Sequence, residues 1–424
     1  HFLAEHGAEL IVTDLRDEKT LVPSLAKLKK YKGIKYTLGQ HKLDDFRNRD
    51  FILKAAGVPL DSPFIAEARR HGVPIEMDAP LFAKLMPSGA TIVGITGTRG
   101  KSTVTALIYE ILKAGFKIYD LRFKNKKKQE IYKGGNLVPE ATLPLLEKVK
   151  SGDIVVLELD SWQLQGFHDA RISPQIAVFT TFLDDHLVYY KGNKRKYLED
   201  KEAIFKYQKR GDVLVVGEKV APLISSRSFM TARVVDVPKE WRTHLLGEHN
   251  LENIACALAV AKHFSARGGS AFGGNISETA IRKVIEHFKP VPGRLEYLRT
   301  VRGVKIYNDN NATTPDATIA ALRALSRHQV STNLWTPDVY RSNNIVLIMG
   351  GTDKGLDMSK LVAEIPKHCK AVVMLKETGT EKLLAEFPGL HSSFPKGGVP
   401  SLRGTKDFLI SQKAKNLLLK KLNI

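Results

Sequence analysis

The tightest constraint on this chain lies at residues 94–103, which read Gly-Ile-Thr-Gly-Thr-Arg-Gly-Lys-Ser-Thr. A continuous apolar run, Thr91–Thr96, leads into them. Behind them Val104, Leu107, Ile108, Ile111 and Leu112 recur at helical spacing. Strand, glycine-rich turn and helix in that order form a phosphate-binding loop. The glycines let the backbone wrap so that its N–H groups face phosphate oxygens, and the helix adds its positive N-terminal end. Lys101 can reach β- and γ-phosphates, and the Ser102 hydroxyl can ligate Mg²⁺. Against the strict pattern the first glycine is displaced by one, with Gly94 serving and Ile95 standing where glycine is usual. Gly115 is the expected end of the helix.

The rest of the chain repeats this grammar. Apolar runs at 9–13, 154–157, 176–179, 213–216, 345–349 and 371–375 are mostly continuous, as strands buried on both faces should be. Helical patterns lie between them, Leu251, Ile254, Ala255, Leu258 and Ala259 among them. The expected fold class is α/β with parallel sheets. Met86-Pro87-Ser88-Gly89 and Lys289-Pro290-Val291-Pro292-Gly293 read as joints. They divide the chain into domains 1–87, 88–290 and 291–424. The glycine-rich stretch 267–275 reads as a surface loop, and 406–422 carries a Lys/Leu helical pattern.

Composition narrows the class. The 424 residues are 43% hydrophobic and 26% charged, as in globular proteins rather than disordered or fibrous ones. No apolar run is long enough for a membrane helix. Cys256 and Cys369 are far apart and make no metal-ligand spacing, which fits a reducing cytoplasm. The net charge of +20 suits anionic partners. Lys124, Lys126, Lys127 and Lys128 could meet phosphates, but Phe123 is the one aromatic beside them, so the stretch reads as a solvated loop and nucleic acid is not the expected partner. The start, His-Phe-Leu-Ala-Glu-His-Gly, reads as the inside of a helix feeding a strand, so the first domain is expected to begin upstream.

Acidic residues follow two of the buried runs. In open α/β sheets ligands bind at the carboxyl ends of strands. Glu158 closes the run 154–157, and beside a triphosphate it would be a sensible Mg²⁺ ligand; its alternative is to cap the next helix. Asp184-Asp185-His186 follow the run 176–179 in the same way.

These motifs together resemble the Mur ligases, in particular their D-glutamate-adding branch. The carriers are Gly94–Ser102, Gly134-Gly135-Asn136, Glu158-Leu-Asp-Ser-Trp-Gln-Leu164, Asp185-His186 with Lys201 fifteen residues on, and His249-Asn250-Leu251-Glu252-Asn253. Further on come Pro292-Gly293-Arg294-Leu295-Glu296, Asn308-Asp309-Asn310-Asn311-Ala312-Thr313 and Gly350-Gly351-Thr352-Asp353-Lys354. Asp14-Leu15-Arg16 and Ala56-Gly57-Val58-Pro59 resemble the family's turns for uridine diphosphate. The resemblance runs over residues 8–383.

It implies a Rossmann-like N-terminal domain, a central ATPase-like parallel-sheet domain and a Rossmann-like C-terminal domain. It implies ATP, UDP-N-acetylmuramoyl-L-alanine and D-glutamate as substrates, the last two joined through an acyl phosphate by a cytoplasmic monomer. ATP would lie on Gly97, Thr98, Arg99, Gly100, Lys101, Ser102 and Thr103, with Asn250 and Asn253 near adenine and Arg294 and Asp309 on phosphate and ribose. Asp14, Leu15, Arg16, Gly57, Asn136, Ser161 and Gln163 would serve the muramoyl substrate, and Thr313 and Lys354 the amino acid. Two Mg²⁺ ions are implied, held by Ser102, Glu158, His186 and a carbamylated Lys201. Lys101, His186 and Lys201 would carry the chemistry.

The sequence departs from the family at several points. Arg99 stands where Asn is usual, and Asp160 and Asn310 replace serines. A glycine-rich turn before residue 9 is missing, and neither the family's last strand nor its Ser-Pro-x-x-x-Ser-Phe loop is legible in 384–424. The alternatives are a folylpolyglutamate synthase-like ligase, which would not need the Asp14–Arg16 segment, a non-catalytic nucleotide-binding relative, and a basic nucleic-acid-binding ATPase.

Overall fold

The computed structural model describes residues 1–122, 129–137, 141–186, 188–224, 229–266, 276–326, 344–388 and 409–410. Helices and strands alternate throughout. Up to the phosphate loop the order is α1 (Phe2–Glu5), β1 (Ile11–Asp14), α2 (Glu18–Leu28), β2 (Lys35–Leu38), β3 (Ile52–Leu53), α3 (Pro63–Arg70), β4 (Ile75–Glu76), α4 (Asp78–Leu85) and β5 (Thr91–Thr96). Then come α5 (Lys101–Arg122), β6 (Ile131–Gly135), β7 (Ile154–Glu158), α6 (Ser161–Asp169), β8 (Ile176–Phe179), α7 (Lys194–Lys206), β9 (Val213–Gly217), β10 (Met230–Ala232), α8 (Glu248–Ala266) and α9 (Glu278–His287). The last part holds β11 (Glu296–Val301), β12 (Val304–Asn308), α10 (Pro315–Ser326), β13 (Ile345–Met349), α11 (Ser359–His368), β14 (Cys369–Leu375), α12 (Thr378–Glu386) and β15 (Leu409–Ile410).

The chain divides into two compact units. The first comprises His1–Thr96, Lys127–Ala177 and Glu199–Val213. In it β6, β7 and β5 lie side by side and parallel, with Thr91 and Ile131 both in register with Ile154. Every residue of β5 and β7 is buried, which is why their sequences run apolar without alternation. Asp160 caps α6: its side chain accepts from the Gln163 N–H at 2.7 Å, and the Gln163 side chain accepts from the Asp160 N–H at 3.1 Å. Near the start of the chain, β1 pairs in parallel with β2 and β3 with β4, as two separate ribbons.

The second unit comprises Gly97–Lys126, Val178–Leu198 and Leu214–Ile424. Val104, Leu107, Ile108, Ile111 and Leu112 of α5 are buried, as their spacing predicts. The helix does not end at Gly115 but continues to Arg122. Gly115 is there for proximity: a Cβ on it would lie 2.7 Å from Ile276, so glycine lets α5 approach its neighbour. Ser277 caps α9 by accepting from the Ala280 N–H at 3.2 Å, and Ala280, Ile281 and Ile285 form its buried stripe.

Further along this unit β11 and β12 form an antiparallel ribbon, and β13, β14 and β15 a parallel sheet. Ile319 and Leu322 of α10 pack with Leu361 and Ile365 of α11 and with Cys369. The helical pattern read over 406–422 fails at 409–410, where the backbone pairs with Met374 and Leu375. A last parallel strand is therefore present. Leu-Ile suits a strand as well as a helix when only two residues are involved. The remainder of that pattern, the lysines at 124–128 and the stretch 267–275 lie outside the described residues.

Candidate active site

The phosphate loop is held in shape by the strand that ends near it in the same unit. The Thr98 N–H donates to the Thr181 carbonyl at 2.8 Å, and the Arg99 N–H to Thr181 Oγ1 at 2.8 Å. The hydroxyls of Thr180 and Thr181 both donate to the Arg99 carbonyl. Thr98 Oγ1 accepts from the Leu183 N–H at 2.9 Å and meets Tyr197 Oη at 3.2 Å. Two glycines are obligatory. Gly97 has φ 147° and Gly100 φ 84°, and a Cβ would overlap Thr180 Oγ1 at the first and Asn253 Oδ1 at the second. Lys101 Nζ lies over the loop, donating to the carbonyls of Gly97 (3.0 Å) and Thr98 (3.2 Å). Ser102 and Thr103 are buried at the start of α5.

Residues from far along the same unit reach this loop. Arg294 Nη2 donates to Ser102 Oγ at 3.3 Å, and its Nη1 to the Asn311 carbonyl at 3.1 Å. Asn253 Nδ2 donates to Asn250 Oδ1 at 2.9 Å, and Asn250 Nδ2 to the Leu246 carbonyl at 2.7 Å, so the two buried amides form one chain. Asp309 accepts from the Leu295 N–H at 2.9 Å. Burial pushes its carboxyl up to about 6, against the pull of that hydrogen bond and of Arg294 and Arg99.

Arg99 is the surprise of the loop. Its Nε donates to Thr314 Oγ1 at 3.0 Å, Nη1 to Thr313 Oγ1 at 3.3 Å and Nη2 to Asp185 Oδ2 at 3.4 Å. Burial pulls the guanidinium below its ordinary range while Asp185 acts the other way. Asp185 is itself buried and gathers the Lys354 ammonium, Nζ at 3.9 Å, besides Arg99, with the His186 ring nitrogen Nε2 at 3.8 Å. The His186 N–H donates to its Oδ1 at 2.9 Å. His186 has φ 56°, a strained conformation for histidine, of the kind that clusters at functional sites.

In the first unit, Glu158 ends β7 with Oε2 buried and without a hydrogen-bond partner among the described residues. The helix cap that it could have been is Asp160 instead. A buried orphan carboxylate oxygen at a strand end fits a divalent cation. Lys201 is not a surface lysine: it is 1% exposed, with Nζ 3.4 Å from Thr96 Oγ1. Among the described residues no three His, Cys, Asp or Glu side chains cluster as metal ligands.

The expected substrate residues of this unit are of three kinds. Asn136 is exposed, its N–H donating to the Glu158 carbonyl at 2.9 Å. Ser161 is buried and Gln163 is engaged in the α6 cap. Asp14 and Arg16 hold one another, with Arg16 Nη2 2.8 Å and Nε 3.1 Å from the carboxylate, which drops to about 2 because of those bonds. Leu15 between them is exposed. A Cβ on Gly57 would lie 3.7 Å from the Trp162 ring, and Lys54 Nζ donates to the carbonyls of Ala55, Ala56 and Val58, bracing the turn around it. Thr180, Thr181, Thr314, Tyr197 and Lys54 are absent from the sequence reading. For Thr180-Thr181 the signal was available, since they follow a buried run as Asp184–His186 do.

Comparison with known proteins bears on this geometry. Residues 95–223 match the Mur ligase middle domain, and residues 293–395 the Mur ligase glutamate ligase domain. The chain is 33% identical over 419 residues to the UDP-N-acetylmuramoylalanine--D-glutamate ligase of Roseiflexus sp. (strain RS-1), covering 90% of this chain and 80% of that one. It is 29% identical to the ligase of the same name in Borreliella afzelii (strain PKo), over 96% of this chain and 85% of that one. In fold it is similar to the UDP-N-acetylmuramate-alanine ligase MurC of Thermotoga maritima (TM-score 0.56, 17% identity, 99% and 95% of the two chains). It is also similar to the MurF ligase of that organism solved with ADP (TM-score 0.52, 18% identity, 89% and 91%).

Proposed function

This chain belongs to the Mur ligase family, and from that premise we propose how it works as an ATP-dependent ligase joining D-glutamate to UDP-N-acetylmuramoylalanine in peptidoglycan precursor synthesis. The observation that carries the reading is the phosphate loop, braced by Thr180 and Thr181 and reached by Arg294.

A carboxylate is a poor acyl donor because its leaving group would be oxide. Transfer of the γ-phosphoryl group of ATP to the muramoyl carboxylate makes an acyl phosphate. The amine of D-glutamate then attacks its carbon, the C–O bond to phosphate breaks, and the amine's proton is lost to solvent or a base. Such transfer needs positioning and charge neutralisation more than covalent help from the protein. The loop's N–H groups other than those of Thr98 and Arg99, which Thr181 holds, and the Lys101 ammonium supply both. Arg294 holds the phosphate side, Asp309 the ribose, and Asn250 and Asn253 the adenine side.

Ser102 and Glu158 would each serve as a ligand to Mg²⁺, which would supply charge neutralisation on the phosphates. A second ion is assigned to His186 and to Lys201 in carbamylated form. Support for this reading is that Lys201 is buried, with Nζ beside Thr96 Oγ1, and not a solvated surface lysine. Lys354 and Thr313 receive the amino-acid carboxylate. Asp14, Leu15, Arg16, Gly57, Asn136, Ser161 and Gln163 serve the sugar nucleotide. We assign domains 1–87, 88–290 and 291–424, with 290–293 as hinge, in a cytoplasmic monomer. No helix among the described residues is long and apolar enough to cross a membrane.

The test is phosphate release from ATP and Mg²⁺ with UDP-N-acetylmuramoyl-L-alanine, with and without D-glutamate. Release that depends on both substrates is expected. ATP binding with no release under any amino acid contradicts the assignment.

A further inference from the structure

Arg99 occupies the phosphate loop, yet its side chain is committed elsewhere. The guanidinium is 18% exposed and spends its donors on Thr314, Thr313 and Asp185. The two threonines lie more than 200 residues away in the chain, at the turn before α10. Asp185 is 5% exposed and has one negative charge to share among its neighbours. Arg99 Nη2 stands nearer to it, at 3.4 Å, than Lys354 Nζ, at 3.9 Å. Lys354 is also the more exposed cation of the two, at 42%.

Two cations that compete for one buried carboxylate are not equivalent. A guanidinium is always charged, is weakly hydrated and holds several acceptors in fixed directions. An ammonium on a flexible stem is easily drawn to whichever anion is least satisfied. With Arg99 in place, Asp185 is largely neutralised, and the Lys354 ammonium stays available to an arriving carboxylate. Without it, Lys354 becomes the principal cation facing a buried anion, and leaving that anion unpaired would be costly.

We infer that Arg99 is a positioning residue for the amino-acid substrate: it neutralises Asp185 and pins Thr313–Thr314, so that Lys354 is left to bind the substrate carboxylate. The inference rests on the reading of Lys354 given above. It moves the side chain of Arg99 from nucleotide binding to amino-acid affinity, although the residue sits in the nucleotide loop.

The experiment measures steady-state KM for D-glutamate and equilibrium affinity for ATP in the wild type, R99N, R99K, K354A and the R99N/K354A double variant, with unfolding midpoints as control. R99N should raise the amino-acid KM by about tenfold or more while ATP affinity changes by less than about threefold. R99K, which keeps the charge, should recover part of the loss. The double variant should be no worse than K354A alone, because both changes act through one ammonium. If K354A raises the KM and R99N does not, the inference is wrong. It is equally wrong if R99N weakens ATP as much as the amino acid, or if the two losses add in full. If K354A leaves the KM unmoved, the reading of Lys354 fails and this inference with it. Should R99N not fold, Thr314→Val removes the shortest of the three bonds and keeps the charge. A rise of about threefold in amino-acid KM is expected there, and no rise counts against the inference.

Discussion

Two arginines show how differently this protein builds its sites. Arg16 is paired with Asp14, two residues away, and is 64% exposed. Arg99 is 18% exposed and answers to residues 86, 214 and 215 positions further on. The first is a local device that a three-residue stretch can make alone. The second exists only when distant segments have folded together. A loop proposed to handle phosphoryl transfer would gain from this, since its geometry is over-determined by many partners. The turn proposed for the sugar nucleotide stays exposed, with its charges paired to each other.

That contrast can be broken or sharpened by substitution, beginning with the largest effect. Lys101→Ala should reduce ATP turnover by about 10³-fold or more, because the charge is lost where phosphoryl transfer occurs. Turnover near wild type in a phosphate-release assay would remove the loop from the mechanism. Lys201→Ala should lose about 10²-fold in kcat. Added bicarbonate should not restore it, whereas short carboxylates should recover part of the rate. A fully active, unaided variant would dispose of the carbamate. Arg16→Ala should raise KM for the sugar nucleotide by about tenfold, with KM for ATP and the unfolding midpoint unchanged, because an exposed pair contributes little to stability. A shift in D-glutamate KM instead would show that the two arginines are not functionally separate.

Asp309 supplies the smallest and most specific test. Its carboxyl is raised to about 6 from the ordinary 3.8, so the folded chain binds the proton more tightly than the unfolded chain does. Stability should therefore fall as pH rises from about 4 to about 6 and level off above that. Asp309→Asn keeps an acceptor for Leu295 N–H and has no charge to bury. It should be more stable than the wild type by about 1–3 kcal/mol at pH 7, with no difference below about pH 4. Denaturant unfolding at the two pH values checks this, and an equal difference at both would show that ionisation is not involved.

What could be read from sequence follows the same division. The buried runs of β5 and β7, the amphipathic face of α5 and the loop between β5 and α5 were legible because each is a pattern within about ten consecutive residues. Glu158 was legible for its place at a strand end. Gly115 misled because a glycine in a helical pattern signals a stop, whereas here its missing Cβ makes room for Ile276. Lys201 was one lysine among many, since burial is a property of the folded neighbourhood. The threonines at 180, 181 and 314 belong to no motif, and nothing near Arg99 in the chain announces which partners it will meet. β15 was missed because two apolar residues do not establish a period.

The most direct test of the central claim follows the oxygen atoms. UDP-N-acetylmuramoyl-L-alanine labelled with ¹⁸O in its free carboxylate is incubated with ATP, Mg²⁺, D-glutamate and the enzyme, and the phosphate is examined by mass spectrometry. The account requires that one labelled oxygen of each carboxylate leave on inorganic phosphate while the other stays in the new amide. Unlabelled phosphate, with amide formed, would mean that the carboxylate was never phosphorylated.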